Sequence, residues 1–154
     1  MSRKYSASVA AVNVSSVPQD FFQITAPASK AIKIHEVRIN QDGSTTSAQV
    51  RVRISKLTGT VTNGSGGTTP TAVQAETGDG SSGATLRANS TTQATTSGSK
   101  LSWLVDAFNV LTGWLQTPTP EDQLVLAPGE ACVVEILAGT MTNAEGTVIW
   151  EEIG

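Results

Sequence analysis

Histidine and cysteine each occur once in the 154 residues, and aromatic side chains make up only 5%. A single cysteine, Cys132, closes no disulfide within the chain, and between Ala131 and Val133 it reads as a small buried hydrophobe. With one Cys and one His, a zinc site of the usual Cys/His type cannot be assembled. Charge is scarce as well, at 15% against a globular norm of about 25%. The net charge is −3, and no basic run is longer than Arg3-Lys4. The clustered basic face of a nucleic-acid binder is therefore missing. No stretch approaches the roughly 18 apolar residues of a membrane span. Arg3 and Lys4 resemble the start of a signal peptide, but Tyr5, Ala7, Val9 and Ala11 then alternate with Ser6 and Ser8. That pattern predicts a first strand and a chain without a signal peptide.

Hydroxyls take the place of charge: 21 Thr and 16 Ser, beside 14 Gly. Threonine suits strands, serine and glycine suit turns, and the balance is wrong for a helical bundle. The expected class is all-β. A chain this long buries roughly 68–70% of its unfolded surface, so one domain over residues 1–154 is expected.

Residues 1–57 alternate apolar and polar positions between short turns. Ile32 and Ile34 sit on even positions but Val37 and Ile39 on odd ones, which predicts a β-bulge near His35-Glu36 or a strand buried on both faces. Val50, Val52 and Ile54 alternate with Arg51, Arg53 and Ser55 as a half-buried strand. Residues 101–154 return to strands, around Trp103 and Val105, at 124–126, 131–137 and 146–153. Between them lie a helical turn at Thr119-Pro120-Glu121-Asp122 and a tight turn at Ala127-Pro128-Gly129-Glu130. About eight short strands with regular turns predict a single jelly-roll-like β-sandwich.

Residues 58–100 are different: a Thr/Ser/Gly tract whose only large apolar side chains are Val61, Val73 and Leu86. A structureless loop of that length is unusual inside one domain. Two arrangements would order it: an extended arm lying across a neighbouring subunit, or a tract folded back on its own sandwich. The arm is the expectation, with Tyr5, Val61, Val73 and Leu86 as contact residues.

No constellation singles out catalysis. Gly78-Asp79-Gly80-Ser81-Ser82-Gly83 matches G-x-G-x-x-G, but no strand precedes it and no helix follows, so no dinucleotide site is expected. Asp79 lacks the further acids of a calcium loop. Any His-based triad must use His35, which reads as a strand histidine paired to a polar neighbour. Glu151 and Glu152 face opposite sides of a strand, Glu121 and Asp122 suit a helical first turn, and Glu135 faces away from Val134 and Ile136. None of these selects the carboxylate pair of a glycosidase. Trp103, Trp114 and Trp150 read as core anchors rather than a sugar platform, and of the three sequons, at Asn13, Asn63 and Asn89, composition alone accounts for one or two, so they say little. The expected catalytic residues, cofactors and metals are none.

The order of these segments is familiar. A Tyr-led strand is followed by Ile34-His35-Glu36-Val37-Arg38-Ile39, the loop Gly64-Ser65-Gly66-Gly67-Thr68-Thr69-Pro70 and a Thr-rich tract. Asp106-Ala107-Phe108-Asn109-Val110, Thr119-Pro120-Glu121, Leu126-Ala127-Pro128-Gly129-Glu130 and Trp150-Glu151-Glu152-Ile153 come after it. This pattern, over nearly the whole chain, resembles small virion structural proteins of tailed bacteriophages and prophages. The resemblance implies a non-enzymatic β-sandwich subunit on the outer surface of a capsid, often a decoration (cement) protein. It implies the major capsid protein and further copies of the chain, commonly a trimer, as partners, and synthesis in the host bacterial cytoplasm. A tail or head-fibre component that binds the host surface is the alternative, followed by a trimeric carbohydrate-binding module.

Overall fold

Period-two alternation puts one row of side chains on each side of a strand. The chain uses it thirteen times in the computed structural model, which describes residues 2–154. The strands are β1 (Ser2–Val14), β2 (Gln19–Thr25), β3 (Ala31–Gln41), β4 (Gln49–Leu57), β5 (Val61–Thr62), β6 (Val73–Gln74) and β7 (Thr85–Ser90), then β8 (Thr95–Thr96), β9 (Lys100–Asn109), β10 (Trp114–Gln116), β11 (Val125–Leu126), β12 (Ala131–Ala138) and β13 (Met141–Ile153). Among the described residues the only helical piece is a 3₁₀ turn, Pro120–Asp122, with Pro at its start and two acids in its first turn.

Eleven of the strands form two antiparallel sheets, in the order β6-β1-β13-β3-β10 and β7-β2-β12-β4-β9, with β11 also on β3, and β5 and β8 form a small third sheet. The apolar rows of both sheets meet in one core. Val50, Val52 and Ile54 contribute from β4, and Cys132, Val134 and Ile136 from β12. Tyr5 stacks on Trp150 with ring centroids 5.8 Å apart, and Phe108 on Trp114 at 6.3 Å. The turn before β12 is as the sequence suggests: Gly129 has φ +82°, and the Glu130 amide donates to the Ala127 carbonyl at 3.0 Å.

Bulges adjust the rows. On β3, Ile149 pairs with Glu36 and Trp150 with Ile34, leaving His35 as the extra residue. The register switch seen in the sequence is this bulge, and it keeps Ile32, Ile34, Val37 and Ile39 all buried. On β2 the pairing skips Phe21, so Phe21 and Phe22 are both buried, edge to face at 5.3 Å. Their rings occupy the space beside Gly146, where a Cβ would lie 2.8 Å from Phe22 Cε2. On β9 the pairing skips Trp103.

The Thr/Ser/Gly tract corrects the expectation of an arm, because it folds back on its own chain. β6 pairs with β1, β7 pairs with β2, and β5 pairs with β8. Leu86 and Ala88 enter the main core. Val61 packs on a second, smaller cluster of Leu57, Ala94, Ala131 and Val133. Each of these pairings satisfies backbone groups that a free arm would leave to water. The tract also supplies four of the five strands beyond the eight expected, the fifth being β10, and it lies along the outer edge of β2 and, at Tyr5 and Ser6, of β1. Beyond β9 and β10 no further strand pairs among the described residues. No helix of the structure is long and apolar enough to cross a membrane.

Candidate interaction surface

The tract is held by buried carboxylates. Glu135, fully buried on β12, accepts from Arg53 Nε at 2.9 Å, Arg53 Nη2 at 3.2 Å, Ser55 Oγ at 2.8 Å and Gln93 Nε2 at 3.0 Å, and pairs with Lys100. Burial alone would raise its pKa, but the bonds from Arg53, Lys100 and Ser55 outweigh burial and hold it below the ordinary value. Asp20, also buried, accepts from the Ala94 amide at 2.6 Å and from the same Gln93 amide at 3.2 Å. Desolvation prevails there and its pKa is raised. Glu135 does face away from Val134 and Ile136, as the alternation says, but its partners come from three other segments: β4, the stretch around Gln93, and the start of β9. Ser55, expected on an exposed row, is buried because the tract roofs that face.

Glu152 plays the same part at the other end. It accepts from Ser82 Oγ at 2.5 Å, the Gly83 amide at 2.8 Å, the Ala84 amide at 3.2 Å and Lys30 Nζ at 3.2 Å. Burial opposes its ionisation, yet these donors keep its pKa lowered. Tyr5 Oη donates to the Gly80 carbonyl at 2.9 Å, and Arg3 pairs with Asp79 at 3.5 Å. The glycine-rich stretch 78–83 is thus a strap laid over β1 and the end of β13, with no helix after it.

The remaining candidates are similarly engaged. His35, on its bulge, lies 3.0 Å from Glu151 Oε2 through Nε2, and 3.1 Å from Gln123 Nε2 through Nδ1. Bonds from Ser2 and then His35 lower the pKa of Glu151. Cys132 is buried, and desolvation with nearby Glu135 pushes its thiol up to about 12. Among the described residues no group of three or more His, Cys, Asp or Glu is placed to hold a metal ion. Glu121 and Asp122 stay at the 3₁₀ turn.

Of the four expected contact residues, Tyr5 and Leu86 are buried in the chain's own core and present nothing to a second chain. Val61 is half-buried against the smaller cluster, and Val73 stands 57% exposed on β6. The expectation for the tryptophans also needs correcting: Trp114 and Trp150 are buried, but Trp103 is 49% exposed. Leu101 and Val105 flank it on β9 at 53% and 59% exposure. Leu101, Trp103, Val125, Lys56 and Gln123 line a groove of about 360 Å³ beside β9. Apolar residues at 101, 103 and 105 look like a core row in the sequence. The bulge at Trp103 splits that row, leaving Leu101 on the Cys132 side of the sheet and Val105 on the Glu135 side beside Arg53, and the edge position leaves both exposed; neither feature has a local signal. On the far side, Thr69, Thr71, Ser81, Thr85 and Arg87 of the tract line a second, hydroxyl-rich groove of about 370 Å³.

No protein-family model, no curated protein and no solved structure matches this chain.

Proposed function

We propose that the chain is a non-enzymatic structural protein of a phage virion, a decoration protein that binds the major capsid lattice from outside and stabilises the head. Its architecture is read as a jelly-roll sandwich. The order β1-β13-β3-β10 in one sheet and β2-β12-β4-β9 in the other supports this, being the order that two interlocked Greek keys produce. The tract then lies in the connection between β4 and β9, with β6 and β7 extending one edge of each sheet.

The observation that carries the functional reading is how the tract is held. Only Glu76, Asp79 and Arg87 are charged between residues 58 and 99. The tract presents mostly hydroxyls, and Glu135, Asp20 and Glu152 clamp it to the body. A clamped surface forfeits little conformational entropy on docking. Uncharged hydroxyls make modest hydrogen bonds without the cost of desolvating ions. On a repeating shell, many such contacts add up.

Electron microscopy of virions incubated with labelled chain tests the reading. Regularly spaced density over the head is expected. Density confined to the tail would replace this reading with the tail or fibre one, and absence of binding to any particle would refute both.

A further inference from the structure

Three surface grooves are lined by a cation, and in two of them an acid of the same chain answers it. Beside β9, Lys56 pairs with Glu130 at 2.7 Å. In the groove around Ser8, Arg38 and Thr147, Arg38 pairs with Glu36, and Glu145 lines the same space. The third, between residues 69–72 and 81–87 of the tract, contains Arg87 and no acid. The Arg87 guanidinium meets no carboxylate among the described residues: Nη1 donates to Thr69 Oγ1, and Nε is enclosed without an acceptor. Accepting that bond leaves the Thr69 O–H to donate elsewhere. Ser82 is spent on Glu152 and the Ala84 amide, but Thr71, Ser81 and Thr85 add hydroxyls without a partner among the described residues. Glu152, behind Ser82, is itself met by Lys30 at 3.2 Å. Both walls are fixed in advance: Thr68 bridges Ala88, the Ala75 amide donates to the Lys4 carbonyl, and the Gly83 and Ala84 amides donate to Glu152.

From this we infer that the Arg87 groove takes a carboxylate, and that its bearer is an acidic side chain of the protein against which the tract docks. The bearer, though not the chemistry of the groove, rests on the decoration reading. A positive charge beside several free O–H donors, with no acid among them, selects an anion with several acceptor oxygens. One guanidinium offers a planar fork and a single unit of charge, which a carboxylate matches on both counts. A phosphate dianion would leave a charge over, in a chain whose net charge is already −3. Arg87 is also the only cation between residues 58 and 99. Hydroxyls along the rest of the tract bond many surfaces about equally, so Arg87 is the point at which charge complementarity fixes orientation and partner.

NMR of the isotope-labelled chain tests the groove without a virion. Blocked glutamate (N-acetyl, C-methylamide) is expected to shift the Arg87 Nε–H and the Thr69 and Thr85 amides saturably, with half-saturation at about 1–10 mM. Blocked glutamine at the same ionic strength should leave them in place, which separates a carboxylate from general polarity and from salt. Arg87→Gln should abolish the response at Thr69 and Thr85 while the circular-dichroism melt is retained. Thr85→Glu keeps Arg87 and supplies the acid from two residues away on the same strand face, so it should block the site as well, whether or not Arg87→Gln folds. No saturable shift, or one that persists in both variants, overturns the inference. Virions then identify the bearer. Heads coated by the wild-type chain, and about tenfold or more less tightly by both variants, put the carboxylate on the shell. Coating that is unchanged in both variants overturns the inference and retains decoration. A saturable site in a chain that coats nothing does the reverse: the groove stands, with a free carboxylate as its ligand, and decoration is refuted.

Discussion

Replacing Glu135 with Ala should be among the most damaging single changes in the molecule. The carboxylate takes four hydrogen bonds from Arg53, Ser55 and Gln93, and a pairing with Lys100, at a fully buried site. The consequences differ by donor. The Arg53 and Lys100 side chains keep 29% and 32% of their surface exposed, so much of their charge is recovered by water and their share is discounted. Ser55 is fully buried, and the Gln93 amide is wedged between two acids. Ser55 is left without an acceptor at about 1–3 kcal/mol, while the Gln93 amide loses one of its two bonds and keeps Asp20. Together with the loss of one member of a buried ion pair, the expected cost is about 3–5 kcal/mol. That is a third or more of the 5–15 kcal/mol that holds a domain of this kind together. Urea unfolding followed by circular dichroism measures it. Hydrogen exchange at Ala94 adds a local readout, because Gln93 and Ala94 are the part of the tract fastened there. A loss below about 1 kcal/mol, with Ala94 still protected, would mean that the network is ornamental and that apolar packing alone holds the tract.

Four further outcomes follow from the same geometry. Glu135, Glu151 and Glu152 all have folded pKa values below 4.5, so their contribution is complete above that pH and lost as pH falls through the lowered values. The urea midpoint should therefore drop between pH 5 and 3 (roughly the carboxylate range), and Glu152→Gln should flatten that slope; a midpoint independent of pH refutes it. Gly146→Ala would press a methyl against the Phe21 and Phe22 rings and should cost about 1–3 kcal/mol, or several degrees in melting temperature. Deleting residues 60–98 removes Leu86 and Ala88 from the core and the partners of Asp20 and Glu135, so the product should fail to fold cooperatively; a sharp native-like melt would show the tract to be dispensable. Cys132 should resist a thiol reagent in the native state and react fully in urea, since it is enclosed and its thiol is pushed up to about 12.

Much of the architecture was readable because it is written locally. Alternation marked the strands around Tyr5, Val52 and Ile136, a switch of parity marked the bulge at His35, and Pro128-Gly129 marked its turn. Strand pairing and side-chain parity are period-two properties, and a window of a few residues contains them. The surface was not legible in this way. Leu101, Trp103 and Val105 carry the same apolar signal whether their strand lies inside a sheet or at its edge, and only the strand order leaves them bare. Glu135 and Arg53 are 82 positions apart, and Glu152 and Gly83 are 69 apart. No local pattern relates such residues, so the acids look isolated along the chain and the Thr/Ser/Gly tract looks like a free arm. Composition and alternation by themselves settled an all-β chain with little charge. Which strands stand at the edges, and that the tract belongs to the body, were decided by tertiary pairing, because burial is a property of neighbours in space rather than in sequence.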